Sequence, residues 1–436
     1  MLKTRKIFTA TASRDVTLDL AITNRDKTFR GFFFRIYPIN CTLIVITMSS
    51  KPLRVTFLAT LPPNSSTIVG RTIPLAKEVQ KYGHSVSLIT LGKTIDNVES
   101  IGIPTTIVGP SFRDGVNKPN PVKLVSRYFT ATTGLRRAIE SNKTDVIVLV
   151  KPHPQNYNAI KNLSIPFILD SDDVESHTSR SNFLERAWLN RIDKNATRKS
   201  NLVTACSPYL VEHYKKMCPG KTVELIPTGI PKEGMADKIN LRRYFDIADD
   251  AQILLYLGSL AISSGHRVDQ IFNIWNEIST SNLKLHLILA GDGIDADKIH
   301  AQSKLLSNNN RIHFFGRFDS GSSENFARQA TLLIDPIDDS VGNQAKSSSR
   351  AMLALKTGTP IISGNVGIRK FLLPDTIHNW ALYDTNKPTA LVEAVKYGLS
   401  EDAHTVFARE TQGLWQQWTW EVIGAKFNSL IEEAIK

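Results

Sequence analysis

The stretch from Asp335 to Gly358 (Asp-Pro-Ile-Asp-Asp-Ser-Val-Gly-Asn-Gln-Ala-Lys-Ser-Ser-Ser-Arg-Ala-Met-Leu-Ala-Leu-Lys-Thr-Gly) holds the densest set of anion-binding groups in the chain. An apolar strand ends at Asp335, and the pattern predicts a helix opening near Ser347 or Ser348 and stopping at Gly358. Free N–H groups, serine hydroxyls, Lys346 and Arg350 at one helix start make a pocket for phosphate. The same serines would also cap a plain helix. Gly70-Arg71 follows the loop after an earlier strand, where a glycine lets backbone N–H groups approach a phosphate or simply makes a turn. His153, in Lys-Pro-His-Pro, sits past another strand end. Asp170, Asp172, Asp173 and Glu175 crowd the next one, as a base or metal set or as helix caps. His177 is the only histidine placed to help them, so the residues argue against a metal site. Gly258, Ser259, Ser264, His266 and Arg267 form the first loop of the second half.

These groups need a scaffold, and the composition supplies an ordinary globular one. The 436 residues are 42% hydrophobic and 22% charged, which excludes a mainly disordered or fibrous chain. The length suits two to four domains. Three cysteines (Cys41, Cys206, Cys218), none in a C-x-x-C pair, exclude a disulfide scaffold and a cysteine-built zinc site. The longest uncharged apolar run, 36–48, is too short to span a bilayer, which takes about 20 residues. The net charge is +12, and residues 1–47 carry eight basic residues against three acidic ones. We expect 1–50 to be a basic, poorly ordered tail, read first as an upstream extension and second as a targeting or membrane-touching arm. The remaining charge suits phosphates or a lipid surface rather than nucleic acid.

From residue 53 onward strands alternate with helices, which implies parallel βαβ units. Strands are expected over 53–59, 85–90, 105–108, 145–150, 166–170, 202–205 and 223–226, with a helix from about Gly70 to Gly83. The pattern restarts at 252–258 and continues with strands at 284–290, 311–315, 332–335 and 360–362. Val268, Ile271, Phe272, Trp275 and Ile278 share one helix face. The fold class is therefore α/β: two Rossmann-like, doubly wound domains facing across a cleft. The expected division is 51–230, 231–414 and a final helix, 415–436, packing back toward the first domain. Ligands of such sheets bind beyond the strand carboxyl ends.

Several stretches together resemble the family-4 retaining glycosyltransferases, whose two-Rossmann architecture is called GT-B. They are Leu61-Pro-Pro with Gly70-Arg71 and Tyr82-Gly-His-Ser-Val; Lys151-Pro-His-Pro; Leu169-Asp-Ser-Asp-Asp-Val-Glu; Ile226-Pro-Thr-Gly-Ile; Ala290-Gly-Asp-Gly; Phe314-Phe-Gly-Arg-Phe; and Lys356-Thr-Gly-Thr-Pro-Ile-Ile. The resemblance runs from about residue 53 onward. It implies a nucleotide-diphosphate sugar as donor and no required cofactor. It places the donor against Gly70, Gly258, Ser259, Arg267, Arg317, Phe318, Lys346, Ser347, Ser348 and Arg350. It gives His153 and Asp338 or Asp339 catalytic roles, and puts the acceptor near Arg71, Asp170, Asp172 and Asp173. The chain departs from the family pattern where an Arg and a Lys usually neutralise the diphosphate, since Ser259 and Ser264 stand there. It departs again at Leu353, where a glutamate usually holds the donor ribose.

The resulting expectation is a hexosyltransferase-like enzyme of glycan biosynthesis that works without nucleic acid. It would act on a glycan or lipid-linked acceptor, in the cytoplasm, with peripheral contact at the inner face of a membrane. The rival is a non-catalytic GT-B protein that binds a sugar nucleotide or a partner. A dehydrogenase is disfavoured because no G-x-G-x-x-G follows either first strand.

Overall fold

Two strands, β1 (Phe34–Ile39) and β2 (Thr42–Thr47), pair antiparallel inside the segment expected to be a tail. Isolated hairpins of this size are marginal in water. The computed structural model describes residues 34–39, 42–47, 51–92, 101–109, 121–177, 183–234, 239–319, 321–387 and 389–436, so the rest of 1–50 lies outside the described residues.

Beyond the hairpin, β-branched apolar runs separated by amphipathic segments build two wholly parallel sheets, as expected. The first contains β3 (Arg54–Leu58), β4 (Ser85–Thr90), β5 (Thr105–Ile107), β6 (Val146–Val150), β7 (Phe167–Ser171), β8 (Leu202–Ala205) and β9 (Val223–Leu225). Its spatial order is β5-β4-β3-β6-β7-β8-β9. The second contains β10 (Gln252–Leu257), β11 (Leu285–Ala290), β12 (Ile312–Gly316), β13 (Leu332–Asp335), β14 (Ile361–Gly364) and β15 (Leu382–Tyr383), ordered β12-β11-β10-β13-β14-β15. The two-residue β15 was too short to show in the sequence pattern.

The strand order reverses between β3 and β6 in one lobe and between β10 and β13 in the other. Such switch points open a crevice at the strand carboxyl ends. The loops there are residues 59–65 and 151–153, and residues 258–267 and 336–348. The residues with chemical potential therefore sit where the topology makes room for a ligand.

The helix Val268–Ser281 buries Val268, Ile271, Phe272, Trp275 and Ile278, the face its periodicity predicts. The last helix, Trp420–Ala434, leaves the second lobe and packs on Ile73–Lys81 of the first. Phe427 is fully buried and stacks on Phe57 with ring centroids 6.2 Å apart. Burying one such ring is worth about 1.5–3 kcal/mol. The two inter-lobe connections run side by side: Ile230 N–H donates to the Trp418 carbonyl (2.9 Å), and Trp420 N–H donates to the Ile230 carbonyl (3.0 Å). Gly229 permits this crossing, because a Cβ there would lie 2.8 Å from the Trp420 ring.

Candidate active site

On the first lobe the chain leaves β3, turns, and enters a helix at Ser66. That helix widens into a π turn over Ile68–Thr72 before continuing as Ile73–Lys81. Gly70 is thus exposed within a helix, one turn past its start, and does not open it. The expectation of a phosphate-facing helix N-terminus at Gly70 is corrected accordingly. The widened turn also directs Arg71 inward. Its guanidinium grips Asp170 bidentately (3.0 and 2.6 Å) and donates to the Ile226 carbonyl (2.8 Å). Both side chains are 2% exposed, and the Thr204 hydroxyl donates to the same carboxylate (2.7 Å). Burial opposes ionisation of Arg71, but Asp170 outweighs it and holds the guanidinium above its ordinary range. Arg71 and Asp170 therefore tie the first helix, β7 and the connection after β9 together, and neither faces an acceptor.

Nearer the cleft lies a second charged group. Lys151, in a left-handed backbone conformation (φ 57°), reaches Asp172 and Glu175, each at 3.0 Å. Glu175 also meets His153 Nε2 at 3.0 Å, while His153 Nδ1 meets the Thr60 hydroxyl at 2.5 Å. Thr67 donates to Asp172 (3.1 Å). Burial pushes Glu175 up, yet Lys151 and His153 outweigh it and hold the carboxyl well below the usual range. Lys151 is held well above its own, because Asp172, Glu175 and Asp173 overcome its burial. Asp173 goes the other way: burial raises it, and Lys151 and Lys346 only partly offset that. The resemblance gives His153 a catalytic role. Both of its ring nitrogens are engaged, so a ligand must displace Thr60 or Glu175 to reach it.

On the second lobe, the helix Ser349–Thr357 opens where predicted and closes on Gly358 in the left-handed conformation. The Ser348 hydroxyl caps it by accepting from Ala351 N–H (3.3 Å). The Ser349 and Arg350 N–H groups, in the first turn, have no intrahelical acceptor. Arg350 itself points inward, which corrects its assignment as a donor ligand. It pairs with Asp335 (2.8 Å), donates to the Leu257 carbonyl (3.1 Å) and lies 4.8 Å from the Tyr256 ring centre. Asp335 is fully buried and also holds Arg369 (2.7 Å) and Ser363 (3.0 Å). Burial would raise the Asp335 carboxyl, but the two arginines hold it far below the usual range.

The loop after β10 carries no unengaged cation among its described side chains. Gly258 holds a positive φ of 141°, and a Cβ there would lie 3.2 Å from Arg350 Nη1. Ser259 is exposed and accepts at its carbonyl from Tyr256 (2.7 Å). Arg267 pairs with Asp269 (2.7 Å) and reaches Asp338 (3.5 Å). Burial, with Arg350 and Lys346 nearby, lowers His266 to about 3 and keeps it neutral. Asp338 also accepts from Asn343 (2.8 Å), and Asp339 from Gln344 (2.6 Å). Arg317 is exposed, and Phe318 packs on Phe326 with centroids 5.5 Å apart.

Lys346 is the exception. Its ammonium donates to the Ser264 carbonyl (3.0 Å), spanning the two loops of the switch point, and it makes no ion pair among the described residues. The residues beside it face the other lobe: Cys206 Sγ lies 3.3 Å from the Ala345 carbonyl, and Ser347 Oγ accepts from Thr228 N–H (3.3 Å). The helix start is thus turned toward the first lobe, with one of its N–H groups already capped. Sequence reasoning missed Lys151 and Thr60 as site-forming residues. Their signal was weak: Lys151 lies in a quoted motif, but only the fold brings Thr60 to His153. Among the described residues no three His, Cys, Asp or Glu side chains gather as a metal-binding group.

This geometry can be set beside known proteins. Sucrose-phosphate synthase from Thermosynechococcus elongatus superposes with a TM-score of 0.67 at 16% identity, covering 87% of this chain and 98% of its own. Anabaena HepE in complex with UDP and glucose gives 0.66 at 14% identity, over 87% and 99%. WaaG, a glycosyltransferase involved in lipopolysaccharide biosynthesis, gives 0.63 at 15% identity, over 86% and 99%. The two facing parallel-sheet lobes are the GT-B fold of glycosyltransferases. Residues 71–233 match Glycosyltransferase Family 4, and residues 251–401 match Glycosyl transferases group 1. Together the two matches and the shared fold support a family-4-like glycosyltransferase. Among curated proteins it is 24% identical over 236 residues to lipopolysaccharide 1,2-N-acetylglucosaminetransferase of Salmonella typhimurium, covering 51% of this chain and 59% of that protein. It is 23% identical over 207 residues to the O-antigen biosynthesis glycosyltransferase WclY of Escherichia coli, covering 45% and 53%. The chain thus spans a little over half the length of these relatives.

Proposed function

We propose that the protein is a retaining glycosyltransferase that moves a sugar from a nucleotide-diphosphate sugar to an acceptor hydroxyl. Lys346 carries this reading. It is a cation without a carboxylate partner among the described residues, set between the β10 loop and the opening of Ser349–Thr357, and its charge is felt by Asp173 of the other lobe. A diphosphate there would meet the Lys346 ammonium, the Ser347 hydroxyl and the first-turn N–H groups of Ser349 and Arg350. The acceptor would lie against the rim formed by His153, Asp172 and Asp173. The bond from the sugar's anomeric carbon to the diphosphate breaks as the acceptor oxygen bonds to that carbon on the same face. The acceptor proton passes to a phosphate oxygen, so no protein base and no cofactor other than the donor is needed.

HepE, with UDP and glucose in its structure, supports a nucleotide donor, and the likeness to a lipopolysaccharide N-acetylglucosaminetransferase and an O-antigen glycosyltransferase supports a glycan or lipid-linked acceptor. The same reading puts the protein in the cytoplasm at the inner face of a membrane. Thermal shift against a panel of sugar nucleotides tests it, because a ligand that binds the folded state raises apparent stability. The matching donor should raise Tm and release its nucleoside diphosphate, Lys346→Ala should largely abolish that release, and NMR should show a product with the donor's anomeric configuration. A protein that binds no nucleotide overturns the reading.

One observation favours a second reading, a non-catalytic binder. With Ser259 and Ser264 in the β10 loop, His266 neutral, Arg267 paired with Asp269 and Arg350 held inside, Lys346 faces the leaving charge without a second unpaired side-chain cation among the described residues of the two switch-point loops of its lobe. Donor binding with no turnover on any acceptor supports that alternative.

A further inference from the structure

On the flank of the first lobe, outside the cleft, a hollow of about 720 Å³ lies beside the helices Pro154–Ile160 and Phe183–Lys199. That volume falls within the roughly 300–1,000 Å³ usual for small-molecule sites. Lys161, Arg191 and Arg198 line it, and none of their side chains makes an ion pair or hydrogen bond among the described residues. Lys199 lines it too but is already engaged, donating to the Lys161 carbonyl (3.0 Å). No carboxylate stands among the lining residues, and Asp193, two positions from Arg191, is buried against Tyr214 instead.

Exposed cations alone would describe an ordinary solvated helix face. Tyr157 does not fit that account. It lines the hollow, its side chain is 3% exposed, and its hydroxyl makes no hydrogen bond among the described residues. A buried tyrosine hydroxyl usually finds a partner, because leaving one unmade is costly. Around it stand the half-exposed Trp188 ring and two carboxamides, Asn162 and Asn195, whose side chains likewise bond nothing among the described residues.

Together these groups select a chemistry. Guanidinium and ammonium groups without partners bind phosphate or carboxylate. Carboxamides and a phenol both donate and accept, as vicinal sugar hydroxyls require. The indole face, negative at its centre, receives the C–H edges of a pyranose ring. A bare anion satisfies only the first set and a neutral sugar only the other two.

We propose that this hollow binds an acidic saccharide, one whose rings carry phosphate or carboxylate groups, as the part of the acceptor remote from the reacting hydroxyl. The helix Pro154–Ile160 starts just past His153, and at 1.5 Å per residue Tyr157 sits about 6 Å along it. The hollow is therefore one short helix away from the cleft rim. Its assignment to the acceptor rests on the transferase reading, whereas the binding itself does not.

Isothermal titration of the full chain, with no donor present, tests the site. Trigalacturonate should bind at least tenfold more tightly than the neutral maltotriose, and less tightly as salt rises. Arg191→Ala with Arg198→Ala, and separately Trp188→Ala, should each lower that affinity roughly tenfold or more. Tyr157→Phe keeps the ring's packing, removes the hydroxyl and should weaken binding by about three- to tenfold. All these variants should keep Tm within a few degrees of the parent. Lys304→Ala, exposed on the second lobe, should leave the affinity unchanged. No binding of trigalacturonate, equal affinity for maltotriose, or no loss in the arginine and tryptophan variants overturns the proposal. Displacement of trigalacturonate by equal concentrations of inorganic phosphate, UMP or phosphatidylglycerol vesicles assigns the hollow to a bare anion, a nucleotide or a lipid headgroup, and overturns it as well. A chain that binds trigalacturonate as expected yet transfers no sugar keeps this site and loses only the transferase reading.

Discussion

Both lobes end their central strands in charged clusters, yet the two clusters differ in kind. In the second lobe Asp335 is wholly dry and holds two arginines, Arg350 and Arg369, drawn from two helices. In the first lobe the Lys151, His153, Asp172 and Glu175 side chains remain 10–17% exposed and line the cleft. The Arg71–Asp170 pair behind them repeats the dry arrangement. A charge at a strand carboxyl end is thus either a strut or a rim group. Depth below the cleft floor separates the two, and residue type does not.

The largest effect should come from removing a strut. Asp335→Ala leaves two arginines without their buried partner and should cost about 3–5 kcal/mol, seen as a lower urea midpoint. If stability barely changes, Asp335 belongs with the rim groups. Next, Lys346→Ala should reduce release of the nucleoside diphosphate by about 100- to 1,000-fold with little change in Tm, because it removes charge stabilisation at the leaving group and no buried pair. A third change tests the rim itself. Glu175→Gln removes the negative charge that Lys151 and His153 share, leaves a single acceptor oxygen for the two, and should lower turnover by roughly tenfold while costing about 1–2 kcal/mol. A loss as large as that of Asp335→Ala would make Glu175 a strut.

The smallest expected effect concerns Asp193, buried beneath the rim with Tyr214 at 3.4 Å. Burial, only partly countered by Tyr214, raises its carboxyl from the ordinary 3.8 to about 7. The folded protein therefore keeps the proton that the unfolded chain releases above about pH 4. Stability contributed by the neutral form falls as pH rises toward about 7. Asp193→Asn should remove that loss and raise stability by about 1–2 kcal/mol at pH 8 relative to the parent, with little difference at pH 4. Melting curves at the two pH values check it.

Much of the architecture was readable from local pattern. Apart from the two-residue β15, every strand of the two parallel sheets and the Ser349–Thr357 helix carry their signals within a few residues, as β-branched runs, capping serines and a closing glycine. The errors lie where a distant partner decides. Arg71 and Asp170 are 99 residues apart, and Arg350 donates inward to the Leu257 carbonyl of β10, 93 residues away. Nothing near Arg71 or Arg350 distinguishes an inward cation from a phosphate ligand. Gly70 misled for the opposite reason. A glycine before a helical run reads as a start, whereas the helix begins at Ser66 and accommodates Gly70 in a widened turn.

The return of Trp420–Ala434 to the first lobe bears on how the molecule is made. Phe57, among the first core residues of that lobe to emerge from a ribosome, finds its cover only when Phe427 arrives. Until then the face of the sheet that will hold Ile423, Phe427 and Ile431 stays open to water and to other nascent chains. The lobe that forms first in sequence is therefore finished last, and excising residues 51–230 as a fragment would produce a sticky, half-clad sheet.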